Sequence, residues 1–272
     1  MKYALINGQR VEAQKGLKGE CPGCNSKMIA KCGAVKIPHW SHAGKIDCDP
    51  WWENETQWHR TWKGHFPAHW QEVVHKSDSG EFHRADVKTE QNWVLEIQYS
   101  AISSVERESR NSFYGKLVWI VNGLRLKRDP FQFFSALKVA TTLENQFIRR
   151  ICDVVGDKSS LVQNWCNTKV PVFFDFNEPD VLWCLLPQQA EESKVVVEFW
   201  RKAFIGVHQT SLESNLDNFG QLIQFLGAPN SANELIQKFH EVRRAEERRR
   251  QLAADEARRN NPYRNHRANR RL

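Results

Sequence analysis

The amino-terminal stretch Met1 to Gly16 alternates apolar and polar residues, and Met28 to Ala30 repeats the pattern, so both predict short β-strands. From Glu53 the segment ENETQWHRTWKGHF favours a helix to about Gly64, with Asn54 available as its cap and Pro67 barring simple continuation. AHWQEVVH then alternates as a strand, Ser77-Asp78-Ser79-Gly80 signals a turn, and EFHRADVK reads as a second strand. Thr89 to Asn92 make another turn, and WVLEIQYS is the third strand. Helical residues run from Ala101 to about Phe113, and Lys116 to Val121 is a fourth strand ending at Asn122-Gly123. The predicted order is α-β-β-β-α-β. Further on, VPVFFDF and VLWCLL are strand-like, and the final segment has helix formers to about Arg259, where Asn260, Asn261 and Pro262 end it.

The same pattern excludes several classes. No apolar run approaches the roughly 20 residues needed to cross a bilayer, the richest being Val181 to Leu186. Met1 to Gly16 has no apolar region of a secretory signal, so a cytoplasmic protein is expected. At 272 residues, with 40% apolar and 26% charged residues, one full-sized domain with smaller modules is the expected organisation.

The net charge of +7 points to a polyanionic partner, but it is unevenly placed. Residues 51–120 hold 8 basic and 10 acidic groups, whereas residues 121–150 hold 6 and 2. The chain to residue 240 nets only +1, and residues 241–272, whose eleven basic groups are all arginine, add +6. That tail has almost no apolar face. It is expected to be a solvated helix followed by about ten residues that order only on a phosphate backbone or an acidic protein. Arg248, Arg249 and Arg250 are its densest cluster. Seven of the eleven tryptophans fall between Trp40 and Trp93, where packing of a small core outweighs stacking on bases as their expected role.

Seven cysteines at irregular spacing do not form a disulfide scaffold and point to thiols, some of them metal-bound. Cys21-Pro-Gly-Cys24 is followed by His39-Trp-Ser-His42, a set of two thiolates and two imidazoles that suits tetrahedral Zn²⁺. Cys32 and Cys48 are rival ligands. One structural zinc per chain is expected, stabilising a β module too small to bury an adequate core.

The acidic residues take their interest from the predicted strands. A hairpin centred on Gln91 puts Asp86 opposite Glu96, with Gln98 on the same face. Opposed carboxylates repel unless a cation lies between them, and a hard divalent ion held by Asp86, Glu96 and the Ile97 backbone oxygen resolves the conflict. Glu55, His59 and Lys63 fall on one face of the first predicted helix. Lys63, His59, His83 and Arg84 are candidates for contacting phosphate, each weighed against simple solvation or a neighbouring partner; Glu72 reads as an outward-facing strand residue.

HRADV, then LEIQYS-AIS, preceded by an EXXXHXXXK helix and a CPGC…HWSH ribbon, resembles the competence protein CoiA-like family over roughly residues 15–125. The resemblance implies a PD-(D/E)XK nuclease core with Asp86 and Glu96 binding Mg²⁺ or Mn²⁺, Gln98 in the place of the usual lysine, and Glu55 as a helix-borne acid. It also implies Cys21, Cys24, His39 and His42 as zinc-ribbon ligands. The expected fold is therefore α/β (α+β). A zinc-ribbon-like module spans residues 1–50 and a restriction-endonuclease-like core 51–125. An α/β extension covers 126–232, and a charged helix with a basic tail 233–272. The expected activity is DNA cleavage, the partners DNA and, through the tail, a DNA-processing or defence protein. A non-catalytic zinc-containing binding protein is the alternative.

Overall fold

The structure is a computed structural model that describes residues 1–44, 48–51, 53–77, 80–143, 145–155, 158–187, 194–209, 218–227 and 231–259. The first five strands are too short to stand alone and pair with one another. β1 (Tyr3–Ile6), β2 (Gln9–Glu12), β3 (Lys18–Glu20), β4 (Lys27–Lys31) and β5 (His39–His42) form an antiparallel sheet in the order β2-β1-β3-β4-β5. Asn7 and Gly8 close the first hairpin with φ of 51° and 76°, the two left-handed residues that a tight hairpin turn demands. Its small apolar cluster centres on Ala4, Cys21, Met28 and Trp40.

A nine-stranded mixed sheet forms the rest of the body. Its first part is α1 (Gln57–Gly64), a short 3-10 turn at Ala68–Trp70, β6 (Gln71–Lys76), β7 (Phe82–Lys88), β8 (Val94–Gln98), α2 (Ser104–Phe113) and β9 (Leu117–Asn122). This is the α-β-β-β-α-β order expected from the sequence. The strand in AHWQEVVH starts later than expected, because Pro67, at φ −52°, introduces the 3-10 turn and the strand begins only at Gln71.

There follow α3 (Asp129–Ala136), β10 (Leu137–Thr142), β11 (Ile148–Val154), α4 (Ser160–Trp165), β12 (Val172–Asp175), β13 (Val181–Leu185), β14 (Lys194–Trp200), α5 (Arg201–His208), α6 (Asn218–Leu226) and α7 (Ala232–Arg259). The sheet order is β10-β11-β14-β13-β12-β9-β8-β7-β6, so strands from residues 71–122 and 137–200 share one sheet. β9 pairs in parallel with both β8 and β12, and all six of its residues are buried, as a strand covered on both faces requires.

One face of the sheet buries Leu95, Ile97, Ile120 and Phe173 beneath Trp62, Phe204, Phe219 and Leu235 of α1, α5, α6 and α7. The other buries Trp119, Val121, Phe174 and Trp183 beneath Tyr114 at the end of α2, Phe133 of α3 and Trp165 of α4. Beyond Phe239 the long α7 projects mostly exposed side chains, Arg248, Arg249 and Arg250 among them. No helix among the described residues is long and apolar enough to cross a membrane. Trp52, Asp78 and Ser79 of the expected turn, Asn260 to Pro262, and the last ten residues lie outside the described residues.

Candidate active site and metal centre

Cys21 follows β3, Cys24 lies in the turn to β4, and His42 closes β5. The turn is held by Cys21 N–H to Ser26 O and Asn25 N–H to Cys21 O, both 2.9 Å. Cys48 completes a group whose four ligand atoms all lie within 4.8 Å of one another. Cys21 Sγ is 3.6 Å from Cys48 Sγ, and Cys24 Sγ 3.4 Å from His42 Nε2. A tetrahedral zinc with Zn–S near 2.3 Å spaces its ligands by about 3.8 Å, so this Cys₃His donor set fits Zn²⁺.

The expected ligand His39 is therefore corrected to Cys48. On a strand, residues three apart point to opposite faces, so His39 and His42 do not converge. The Nδ1 of His39 instead lies 2.9 Å from Ile37 O. Burial pushes the Cys24 thiol up, but hydrogen bonds with Ser26, Cys48 and His42 outweigh it and bring the thiol down to about 6. Cys48 is raised, by burial first and by its neighbours Cys24 and Cys21.

The acidic residues converge beside this module. Thr56, not Asn54, caps α1: its hydroxyl accepts from His59 N–H, while its own N–H donates to His59 Nδ1 at 3.1 Å. Histidine thus plays the part glutamate or glutamine has in a capping box. Glu55 stands just before the helix rather than on it. Its carboxylate nonetheless contacts the Lys63 ammonium, which is 2% exposed and also lies 3.0 Å from Glu72 and 3.7 Å from Asp86. Burial alone would strip the proton from Lys63, but Glu72, Asp86 and Glu55 together raise its pKa and keep it charged.

Glu72 is buried, not outward-facing, and carries a left-handed backbone with φ 50°. Against the cost of burial, Lys63 and the surrounding donors hold its carboxyl well below the usual range. It accepts the backbone N–H groups of Lys2, at 2.8 and 2.9 Å, and of Tyr3, at 3.1 Å, and so ties the small sheet to the large one.

Between β7 and β8 the ladder runs from Lys88↔Val94 to Val87↔Leu95 and stops there, just before Asp86 and Glu96. There Asp86 Oδ2 accepts Ile97 N–H at 3.0 Å in place of a backbone carbonyl. Glu96, 3% exposed, accepts Arg110 NH1 at 2.7 Å through Oε2, while Oε1 is buried without a hydrogen-bond partner among the described residues. Burial pushes Glu96 up to about 8; Arg110 counters it only in part, and Asp86 and Asp49 add to the rise.

These groups enclose a polar cavity of about 40 Å³, lined by Asp49, Glu53, Glu55, Glu72, Asp86 and Glu96 with Lys63, Arg84 and Arg110 as its Lys and Arg cations. That volume suits an ion or a water. The orphaned Glu96 oxygen beside Asp86 fits a hard cation, and two carboxylates completed by water and phosphate are the usual Mg²⁺ arrangement.

Not every expected residue faces the cavity. Gln98 is buried and donates through Nε2 to Ser100 O at 3.1 Å, so the cation near Asp86 comes from Lys63 on α1 instead. His59 does line the cavity, but its Nδ1 serves the cap and its Nε2 lies 3.3 Å from Glu53. His83 is buried, stacked 3.2 Å from Trp51 and within 3.0 Å of Asp49 and 2.8 Å of Glu81, which removes it from a phosphate-binding surface. Arg84 lines the cavity, and none of the α7 arginines does. Asp49, Glu72 and Arg110 were not among the expected site residues. Their signals were faint: Asp49 directly follows Cys48, Glu72 stands across from Asp86 in the β6–β7 register, and Arg110 lies one helical turn beyond Glu106, with which it pairs.

Residues 7–50 match the family described as Competence protein CoiA, N-terminal domain, a span that runs from the first hairpin turn through Cys48. No curated protein and no solved structure matches the chain.

Proposed function

We propose that this chain, whose residues 7–50 match the amino-terminal domain of competence protein CoiA, is a metal-dependent DNA nuclease of PD-(D/E)XK type, in a Glu-X-Gln form, acting in competence, recombination or defence against foreign DNA. The observation that carries this reading is the half-buried Asp86 beside the buried Glu96, with one unpartnered Glu96 oxygen among the described residues and the Lys63 ammonium 3.7 Å from Asp86.

Asp86 and Glu96, with the Ile97 backbone oxygen, would hold Mg²⁺ or Mn²⁺. Such an ion supplies Lewis-acid stabilisation of the phosphate and a more acidic bound water. The chain's own groups do the positioning. Glu55 and Glu72 fix Lys63 in its charged form, where it orients water by hydrogen bonding and offsets negative charge developing on phosphorus oxygens. Arg110 orients Glu96 by its bond to Oε2. The zinc module and the arginines of α7, Arg248 to Arg250 included, grip the DNA backbone.

The test is a cleavage panel of single-stranded, double-stranded and branched DNA and of RNA, with Mg²⁺ or Mn²⁺, comparing wild type with Asp86→Asn and Lys63→Met. Metal-dependent cutting that both substitutions abolish, with zinc content intact, is expected. A wild-type protein that binds these substrates and cuts none would give way to the second reading, a non-catalytic zinc-containing DNA- or partner-binding protein. The ion pair of Arg110 on Glu96 and the engaged amide of Gln98 favour that alternative.

A further inference from the structure

A second surface lies beyond the end of β9, in the loop and helix that read Leu124-Arg-Leu-Lys-Arg-Asp-Pro-Phe131-Gln-Phe-Phe134. Phe133 is fully buried beneath α3, yet Phe131 is 76% and Phe134 39% exposed, with Leu124 and Leu126 also at the surface. Lys127 and Arg128 are exposed between these apolar groups.

The loop is held in place rather than loose. Asn122 Oδ1 accepts Leu124 N–H at 2.7 Å, and the fully buried Asp129 accepts Leu126 N–H at 3.3 Å and lies 3.8 Å from Arg125. Asp129 thus neutralises Arg125 and leaves Lys127 and Arg128 to face solvent. α3 is fixed to α4 by Ser160 Oγ donating to Gln132 at 2.7 Å. The Phe134 ring rests 5.0 Å from Phe176 and 5.8 Å from Trp183. Arg150 reaches the same Trp183 ring at 5.4 Å, and Arg149 and Arg150 both pair with Glu198.

We propose that this surface binds single-stranded nucleic acid, with Phe131 stacking on an unpaired base and Lys127 and Arg128 meeting the flanking phosphates. A ring standing free of its neighbours, with cations unmatched among the described residues a few positions away, is what base stacking with backbone tracking uses. In a duplex the bases already stack on each other and offer no face to such a ring, so the geometry selects single strands. A protein interface gathers apolar groups at its centre and charge at its rim, whereas here the two interleave. The inference stands apart from catalysis in the acidic cavity, which none of these residues lines.

Fluorescence anisotropy with labelled oligo-dT and a duplex of equal length, using the full chain without added divalent ion, tests it independently of cleavage. Phe131→Ala should weaken oligo-dT binding about tenfold and leave duplex binding unchanged, and Phe131→Trp should retain it. The double substitution Lys127→Ala with Arg128→Ala should flatten the salt dependence of oligo-dT binding by a slope of about 1.4. Unaltered oligo-dT affinity in Phe131→Ala, or full affinity in Phe131→Leu, which keeps the apolar bulk without the ring, would overturn the proposal. So would loss in Phe131→Ala of binding to phosphatidylserine vesicles rather than to DNA, which would reassign the surface to an anionic membrane.

Discussion

Lys63 and Asp86 meet across two elements: the ammonium at the last turn of α1 stands 3.7 Å from a carboxylate on β7, inside a cavity dominated by acids. Lys63 also bonds Glu72 at 3.0 Å, and Glu72 in turn holds the backbone of the small sheet. One buried cation therefore links the helix, two strands and the amino-terminal module.

Replacing Lys63 with methionine leaves Glu55 and Glu72 buried without their main counter-charge. A stability loss of about 3–5 kcal/mol is expected, read from urea unfolding at pH 7. A loss below about 1 kcal/mol would mean that Lys63 is not the balancing charge.

Glu96 makes stability fall as pH rises. Its folded pKa near 8 lies above the ordinary carboxylate value, so between about 4.5 and 8 the folded state holds a proton that the unfolded state has released. The stabilisation is complete below about pH 4.5 and is lost as pH climbs through 8. Glu96→Gln should flatten this decline in urea midpoints measured from pH 5 to 8. Added Mg²⁺ should stabilise the wild type at pH 8 and leave Glu96→Gln unmoved; an equal response of both proteins would count against an ion at Glu96.

The metal centre separates two ligand sets. Protein purified without added metal should carry one zinc, retained in His39→Ala and lost or sharply reduced in Cys48→Ser. The reverse outcome in metal analysis would restore the histidine pair as ligands.

Asp175 is the junction between α1 and the carboxy-terminal strands. It accepts the indole N–H groups of Trp58 and Trp62 at 3.0 and 2.8 Å and pairs with Arg201. Asp175→Ala should cost about 2–4 kcal/mol in urea unfolding, because an arginine and two indoles lose their shared acceptor together. A cost within 0.5 kcal/mol would show those groups finding other partners.

Local pattern sufficed where neighbours in sequence decide the outcome. Alternation in EFHRADVK and WVLEIQYS, together with the turn between them, foretells the two paired strands and brings Asp86 and Glu96 into one cavity, because side-chain period and loop length set a hairpin's register. The CPGC turn likewise marks Cys21 and Cys24 as a ligand pair. Cys48 was legible only as a rival ligand; its choice over His39 was not, since it depends on β5 being extended and on where the chain runs after it. Nor was the inward turn of Glu72, which rests on one left-handed residue, or the engagement of His59 in a cap.

By itself, then, the sequence determined the order of elements from the first helix to the strand ending at Asn122 and three of the four zinc ligands, which follow from spacing along short stretches of chain. Only the tertiary structure decided which cation stands beside Asp86, which fourth ligand completes the zinc site, and which carboxylate keeps an unpartnered oxygen. Those are settled by the packing of α1, α2 and the small sheet against β6 to β8. Burial makes an unmatched charge costly enough that the nearest partner, from whatever part of the chain, is the one that counts.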